Sequence, residues 1–203
     1  MQYDHVAFCL ACFGSQGTGK TSWVLRYLAN TKAKCRFLFD AEGEFAHKLG
    51  LRPVSTPEEI TAAIKSGWVC YDPWQSFEDP AEALEWFSAL VFKLAESALP
   101  GRKILVVDEL QHYTTGHKLP RSLSRIIWTG RRRGIDFVTM AQAPNLAHNA
   151  IRGQLTEVVC FNLCEPNALE FPKAWGFDVA EIQALPLHHW IWRDRWRREQ
   201  RGP

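Results

Sequence analysis

The eight residues Gly14, Ser15, Gln16, Gly17, Thr18, Gly19, Lys20 and Thr21 constrain the chain more than any other stretch, because they match G-x-x-x-x-G-K-[ST] at every fixed position. They follow an eight-residue apolar run, VAFCLACF at 6–13, and open a segment with helical character at 20–29. That context matters physically. A phosphate cradle needs a nest of backbone N–H groups at the N-terminus of a helix, so the glycine loop must leave a buried strand and enter a helix. In this pattern Gly14, Gly17 and Gly19 let the backbone approach the phosphates, Lys20 neutralises β/γ oxygens and the Thr21 hydroxyl reaches Mg²⁺. The cradle is expected to run from Gly14 through Ser22, with ATP as its ligand.

A strand followed by a phosphate loop and a helix predicts an α/β fold, and the rest of the chain fits it. Short apolar runs at 35–40, 68–71, 103–108, 135–141, 157–161 and 189–192 alternate with longer amphipathic segments, the pattern of βαβ units around a mostly parallel sheet flanked by helices on both faces. Two helix starts are well marked. TPEE at 56–59 and DPAE at 79–82 each supply a cap, a proline at the first helical position and an acid two residues on. The second start leads into a helix with Leu84, Phe87, Val91, Leu94 and Ala98 on one face. Further helices are expected at 20–29, 119–129, 146–153 and 167–175. With 203 residues, the chain is read as one domain, 1–203, ending in a basic tail at 193–203.

KILVVDEL at 103–110 is an apolar strand closed by two adjacent acids. Carboxylates at the end of a buried strand need a cation and water. Asp108 is therefore assigned to the Mg²⁺ shell with Thr21, and Glu109 to polarising the attacking water in phosphoryl transfer. A third strand, 135–141, ends in Gln142-Ala143-Pro144, and Gln142 offers an amide to sense a γ-phosphate and orient water.

Other chemistry is weaker. Cys9, Cys12, Cys35, Cys70 and Cys160 fall in apolar strand-like runs, where a free thiol acts as a small buried hydrophobe, so Cys9-x-x-Cys12 is not expected to hold a metal or a disulfide. No apolar run approaches the roughly 20 residues that span a bilayer, so no direct membrane insertion is expected. The N-terminal MQYDH lacks the basic residues of a signal peptide, and a cytoplasmic protein is expected. The net charge is only +2, but it is uneven: residues 193–203 hold five Arg against Asp194 and Glu199, a local +3 that leaves −1 on the remainder. Residues 121–133 hold five Arg and no acid. Basic patches on a near-neutral body suit a polyanionic partner. Trp190, Trp192 and Trp196 are expected to pack a terminal strand and an interface.

The segment GRRRGIDFVTMAQAPNLAHNAIRGQLTEVVCFNL at 130–163 resembles the G-R-x-x-G-[IV]-x-[LF]-V-x-x-[ST]-Q-x-P block of the HerA/FtsK superfamily of DNA-pumping ATPases, and VVDEL and FLFDAEGEF extend the resemblance over most of the chain. Short members of that superfamily resemble the genome-packaging ATPases of icosahedral phages and viruses with an internal membrane. The resemblance implies a RecA-like (ASCE) P-loop core in which the Gln142 strand lies between those carrying Lys20 and Asp108. It also implies a homo-oligomeric ring, a hexamer, acting on double-stranded DNA in the host cytoplasm or at the packaging vertex of a virion, with capsid portal or membrane-associated packaging proteins as partners. Arg131 takes the position of the family's arginine in G-R-x-x-G, with Arg125, Arg132 and Arg133 as rivals for the role of an arginine finger on the γ-phosphate of its own or a neighbouring subunit, and the loop 111–118 that follows the two acids is a candidate lining for a DNA pore. One departure stands out: Ala143 occupies the place where many members carry Arg in a Q-R-P triplet. A Zot-type phage assembly ATPase, a HerA or FtsK motor fragment, a small-molecule kinase and a nucleotide-gated scaffold remain open alternatives.

Overall fold

The structure, a computed structural model, describes residues 9–97, 99–114 and 119–203. The expected strand start at 6–8, Ala98 on the apolar helix stripe and the tip of the 111–118 loop lie outside the described residues. In chain order the elements are β1 (Cys9–Phe13), α1 (Lys20–Ala29), β2 (Cys35–Phe39), α2 (Glu44–Leu49), α3 (Pro57–Ala63), β3 (Trp68–Tyr71), α4 (Pro80–Ser97), β4 (Lys103–Val107), α5 (Arg121–Thr129), β5 (Ile135–Ala141), α6 (Asn149–Arg152), β6 (Glu157–Cys160), α7 (Pro166–Ala174), α8 (Val179–Ala184), β7 (Trp190–Asp194) and β8 (Glu199–Gly202). Short 3₁₀ turns link several of them.

Among the described residues the strands form a single eight-stranded sheet in the order β3-β2-β4-β5-β1-β6-β7-β8, parallel from β3 to β6 and antiparallel at β7 and β8. The strand ending at Gln142 does lie between those leading to Lys20 and Asp108. Parallel strands carry apolar side chains on both sides, and β1 shows why. Cys9, Ala11 and Phe13 pack with Leu84, Phe87, Val91, Ile126, Ile127 and Leu169 on one face. Leu10 and Cys12 pack with Trp23, Val24, Leu28 and Phe45 on the other. Helices α3, α4, α5, α7 and α8 thus cover one side of the sheet, and α1 and α2 the other. The five strand cysteines are buried and free, and Cys164 is free and exposed.

The helix starts behave as their sequences require. Thr56 closes a reciprocal capping box with Glu59 at the start of α3, and Asp79 accepts from the Ala81 N–H at 2.8 Å at the start of α4. Two expectations need correction. The helix expected over 146–153 shrinks to α6, because Pro144 starts a 3₁₀ turn, Ala147 is extended, and His148 caps the four-residue helix that remains. The segment expected as a basic tail at 193–203 is a β-hairpin. Gly202 sits against the Trp190 ring, where a Cβ would come within 2.7 Å, and Arg193 and Arg201 both pair with Glu199. Trp190 and Trp192 are buried, whereas Trp196 is exposed. No helix among the described residues is long and apolar enough to cross a membrane.

Candidate functional site

The chain crosses from β1 to α1 through the glycine loop, and the loop is pinned from both sides. The Ser15 N–H donates to the Asn162 carbonyl at 3.0 Å, tying it to the end of β6, and the Thr18 hydroxyl donates to the Ser15 carbonyl at 2.8 Å. Gly14 has no space for a side chain, since a Cβ would meet Phe161 Cβ at 2.6 Å. Gly17 and Gly19 take left-handed φ values of 76° and 100°. Helix α1 begins with Gly19 at its cap, no side-chain cap and no acid in its first turn. Its N–H groups and dipole are therefore presented to an anion. Buried Lys20 donates to the Gly14 and Ser15 carbonyls at 2.8 and 3.2 Å, which keeps its ammonium at the mouth of the nest.

The acids arrive from the neighbouring strands. β4 delivers Asp108 and Glu109, β5 delivers Gln142, the turn after β2 delivers Glu42, and the start of α2 delivers Glu44. One cavity of about 550 Å³ is lined by Gly17, Gly19, Lys20, Thr21, Ser22, Asp108, Glu109 and Gln142, together with Gln16, Glu42, Glu44, Lys48 and His188. Burial, with Glu109 beside it, pushes the Asp108 carboxyl up to about 7. It accepts a hydrogen bond from the Glu109 N–H at 2.8 Å. A half-buried carboxyl held this high, lining the same cavity as Thr21, suits a divalent cation that would return it to its charged form. The residues present therefore fit Mg²⁺ and the phosphates of ATP.

Glu109 has φ 43°, a left-handed conformation that a non-glycine residue adopts only when its surroundings hold it. Gln111 donates to one of its carboxylate oxygens and Gln142 to the other, the latter at 3.5 Å. Gln142 thus touches the acid it was expected to work beside. Across the cavity the Thr21 hydroxyl donates to Glu44 Oε2 at 3.2 Å, and Glu44 Oε1 pairs with Lys48 at 2.8 Å. Lys48 also donates to the Ser22 hydroxyl at 3.4 Å.

Glu44, Lys48 and His188 were not singled out for the primary site from sequence. The signal for Lys48 is its i,i+4 spacing from Glu44. His188 carries no comparable signal. It has φ 67° and lies over Gly19, where a Cβ would come within 2.9 Å of its Nδ1.

The structure does not bring the arginines of 121–133 to this cavity. Arg125 and Arg133 pair with Glu96 at 3.7 and 2.8 Å and lie over the Phe92 ring. Arg131 and Arg132 are exposed in the turn that precedes β5. The step from Ile135 to Gln142 is seven residues, roughly 23 Å at 3.3 Å per residue, so Arg131 lies at the opposite end of the strands from the phosphate loop.

No protein-family model and no curated protein matches the sequence. Solved structures do match the fold. The genome packaging NTPase B204 of Sulfolobus turreted icosahedral virus 2, solved in complex with AMP, superposes with a TM-score of 0.74 at 18% identity, covering 97% of each chain. The cytoplasmic domain of the Type VII secretion ATPase EccC of Thermomonospora curvata matches with a TM-score of 0.59 at 14% identity, covering 94% of this chain and 24% of that one. The bacterial conjugative coupling protein TrwB matches at 0.56 and 13%, covering 96% and 84%. At these identities the common property is the fold, that of a P-loop NTPase, which this chain shares with B204 from end to end.

Proposed function

We propose that this chain, as one ATPase domain, hydrolyses ATP and couples the reaction to moving double-stranded DNA into a preformed viral capsid. The observation that carries the reading is the convergence of Lys20, Thr21, Asp108, Glu109 and Gln142 on one cavity at the strand ends of a fold shared over its full length with a viral genome packaging NTPase.

Within that site the loop N–H groups and Lys20 bind the triphosphate, with Lys20 leaving its carbonyl partners as phosphate oxygens replace them. Thr21 and Asp108 would hold Mg²⁺, which supplies charge neutralisation on the β and γ oxygens. Glu109, steadied by Gln111 and Gln142, orients a water and accepts its proton. Glu44 holds the Thr21 hydroxyl in place from the other wall. A kinase reading is less well supported, because no arginine lines the cavity among the described residues and an adjacent Asp-Glu pair has no place in transfer to a small acceptor. The wider reading includes a homo-oligomeric ring, a hexamer, working in the host cytoplasm and at the packaging vertex beside portal or membrane-associated partners.

The test is the steady-state ATPase rate of the purified chain with and without duplex DNA, with Lys20→Ala as the inactive control. Stimulation by duplex DNA is the expected result. A rate indifferent to DNA but raised by a small-molecule acceptor would replace the motor with a kinase.

A further inference from the structure

The hairpin that closes the sheet ends in a turn of Arg195, Trp196, Arg197 and Arg198, all exposed and without an acid among them. The turn is built around Asp194, which is 1% exposed. One of its carboxylate oxygens accepts from the Trp196 and Arg198 N–H groups at 2.9 Å each, and the other pairs with the Arg198 guanidinium. Its backbone accepts from the Arg197 N–H at 3.0 Å and donates to the Arg198 carbonyl at 3.1 Å. Arg197 completes the turn with φ 66°. Arg195 is tethered to the Leu155 carbonyl at 3.1 Å and Arg198 lies 5.5 Å from the Trp196 ring centroid. Among the described residues the Arg197 guanidinium and the Trp196 indole N–H have no hydrogen-bond or ion-pair partner, and Trp196 is 70% exposed.

A buried carboxylate has thus been used to hold rigid a tip that offers two free donors, a flat aromatic surface and a dense positive charge. Order of this kind has already been achieved before any ligand arrives, so binding need not supply it. A duplex backbone matches the tip: phosphates take the guanidinium and indole N–H groups, and the indole face packs on the sugar edge. A second copy of the chain matches it less well, because the residues outside 193–203 net −1 and offer little surplus negative charge.

The location fits as well. Asp194 is level with Glu157 and Leu10, so the turn lies where the parallel strands begin, and the phosphate loop lies where β1 ends. Arg195 is level with Cys9, five residues before Gly14, a separation of roughly 17 Å along the strand direction. We propose that the Arg195–Arg198 turn is a duplex-DNA contact of this protein, binding the phosphate backbone through Arg197 and Trp196 without reading base sequence. The inference rests on the DNA-motor reading and adds to it the surface that grips the strand.

The test uses the full chain and a labelled duplex, with affinity measured by anisotropy across a salt series. Arg197→Ala should weaken binding to every sequence alike and lower the slope of log affinity against log salt by about 0.9, the value of one phosphate contact on duplex DNA. Trp196→Ala should weaken it by roughly tenfold, the scale of one hydrogen bond to a charged phosphate. Both substitutions are at exposed positions far from the nucleotide, and the ATPase rate without DNA should stay at the wild-type value. Wild-type affinity and slope in the double variant Trp196→Ala/Arg197→Ala, with the unsubstituted chain binding DNA normally, overturns the contact and leaves the motor reading standing. Loss of assembly in light scattering at unchanged DNA affinity reassigns the turn to a subunit interface and also overturns it. Failure of the unsubstituted chain to bind duplex DNA removes the motor reading and this inference together.

Discussion

Two adjacent acids at the end of β4 have different hydrogen-bond partners, and their substitutions should separate accordingly. Glu109 is held by Gln111 and Gln142 in a left-handed backbone conformation, a geometry that presets the position of its carboxylate. Glu109→Gln keeps the shape and removes the base, so nucleotide affinity should stay near wild type in calorimetry while phosphate release falls at least about a hundredfold, the scale of general-base catalysis. Unchanged release would move the role to Glu44 or Glu42. Asp108 is raised to about 7 by burial and by Glu109. A carboxyl raised on folding favours the folded state only while protonated: its contribution is full below the unfolded value near 4 and is lost as pH rises through about 7. Without nucleotide, Asp108→Asn should therefore melt higher than wild type at pH 8, with the difference shrinking towards pH 5. Asp136 and Glu157, raised by burial to about 6 and about 7, are present in both proteins and cancel from the comparison. Identical melting differences at the two pH values would show that Asp108 is not held protonated.

The elements that carry these acids differ in how plainly the sequence announces them. Parallel strands buried on both faces appear as unbroken apolar runs, so β1 to β6 were legible, and the Thr56 and Asp79 caps with their following prolines mark α3 and α4. Helices α2 and α8 were not legible. Each has six residues and buries only two and one of them, respectively, too few for a periodic stripe. Strand β8 was illegible for a different reason: Glu199, Gln200 and Arg201 contain nothing apolar, and they form a strand because Arg193 and Arg201 converge on Glu199 across the hairpin. Lys20, Thr21, Asp108 and Glu109 could be placed by motif, whereas the contacts of Gln142 with Glu109 and of Thr21 with Glu44 depend on which strands are neighbours. Helix α2 makes this concrete. It exists because both Asp40 oxygens accept from the Phe45 and Ala46 N–H groups, at 3.0 and 2.7 Å, and it places Glu44 against Thr21. Asp40→Ala should cost about 1–2 kcal/mol in denaturant unfolding through loss of the cap, and should also lower ATP turnover. Full stability with full turnover would mean that α2 stands without Asp40.

At the scale of the whole molecule, the sheet separates two regions that a single chain cannot bring together. The nucleotide cavity lies at the ends of β1, β4 and β5, and Arg131 precedes the start of β5, roughly 23 Å away along the strand. An action of Arg131 on its own subunit's γ-phosphate is therefore ruled out by distance, and the finger role proposed for it requires a neighbouring copy. Arg125 and Arg133 are already committed to Glu96 and the Phe92 ring, which leaves Arg131 and the equally exposed Arg132 free to reach outward. The hairpin turn lies at the same end of the strands, three strand positions away in the order β5-β1-β6-β7. At about 4.8 Å per strand that is roughly 14 Å, so the two can meet different partners. An arginine finger is worth about 10³ to 10⁵ in rate, far more than a solvated arginine. Arg131→Ala should accordingly leave melting and ATP affinity near wild type and cut turnover by at least about a hundredfold, with Arg132→Ala milder. Action in trans has its own signature. Mixing Arg131→Ala with Lys20→Ala chains should restore part of the activity, because the first supplies an intact phosphate loop and the second an intact Arg131. Full turnover of Arg131→Ala alone, with DNA present and assembly confirmed by light scattering, would remove the finger from Arg131 and leave Arg132 as the exposed cation on that turn to test next.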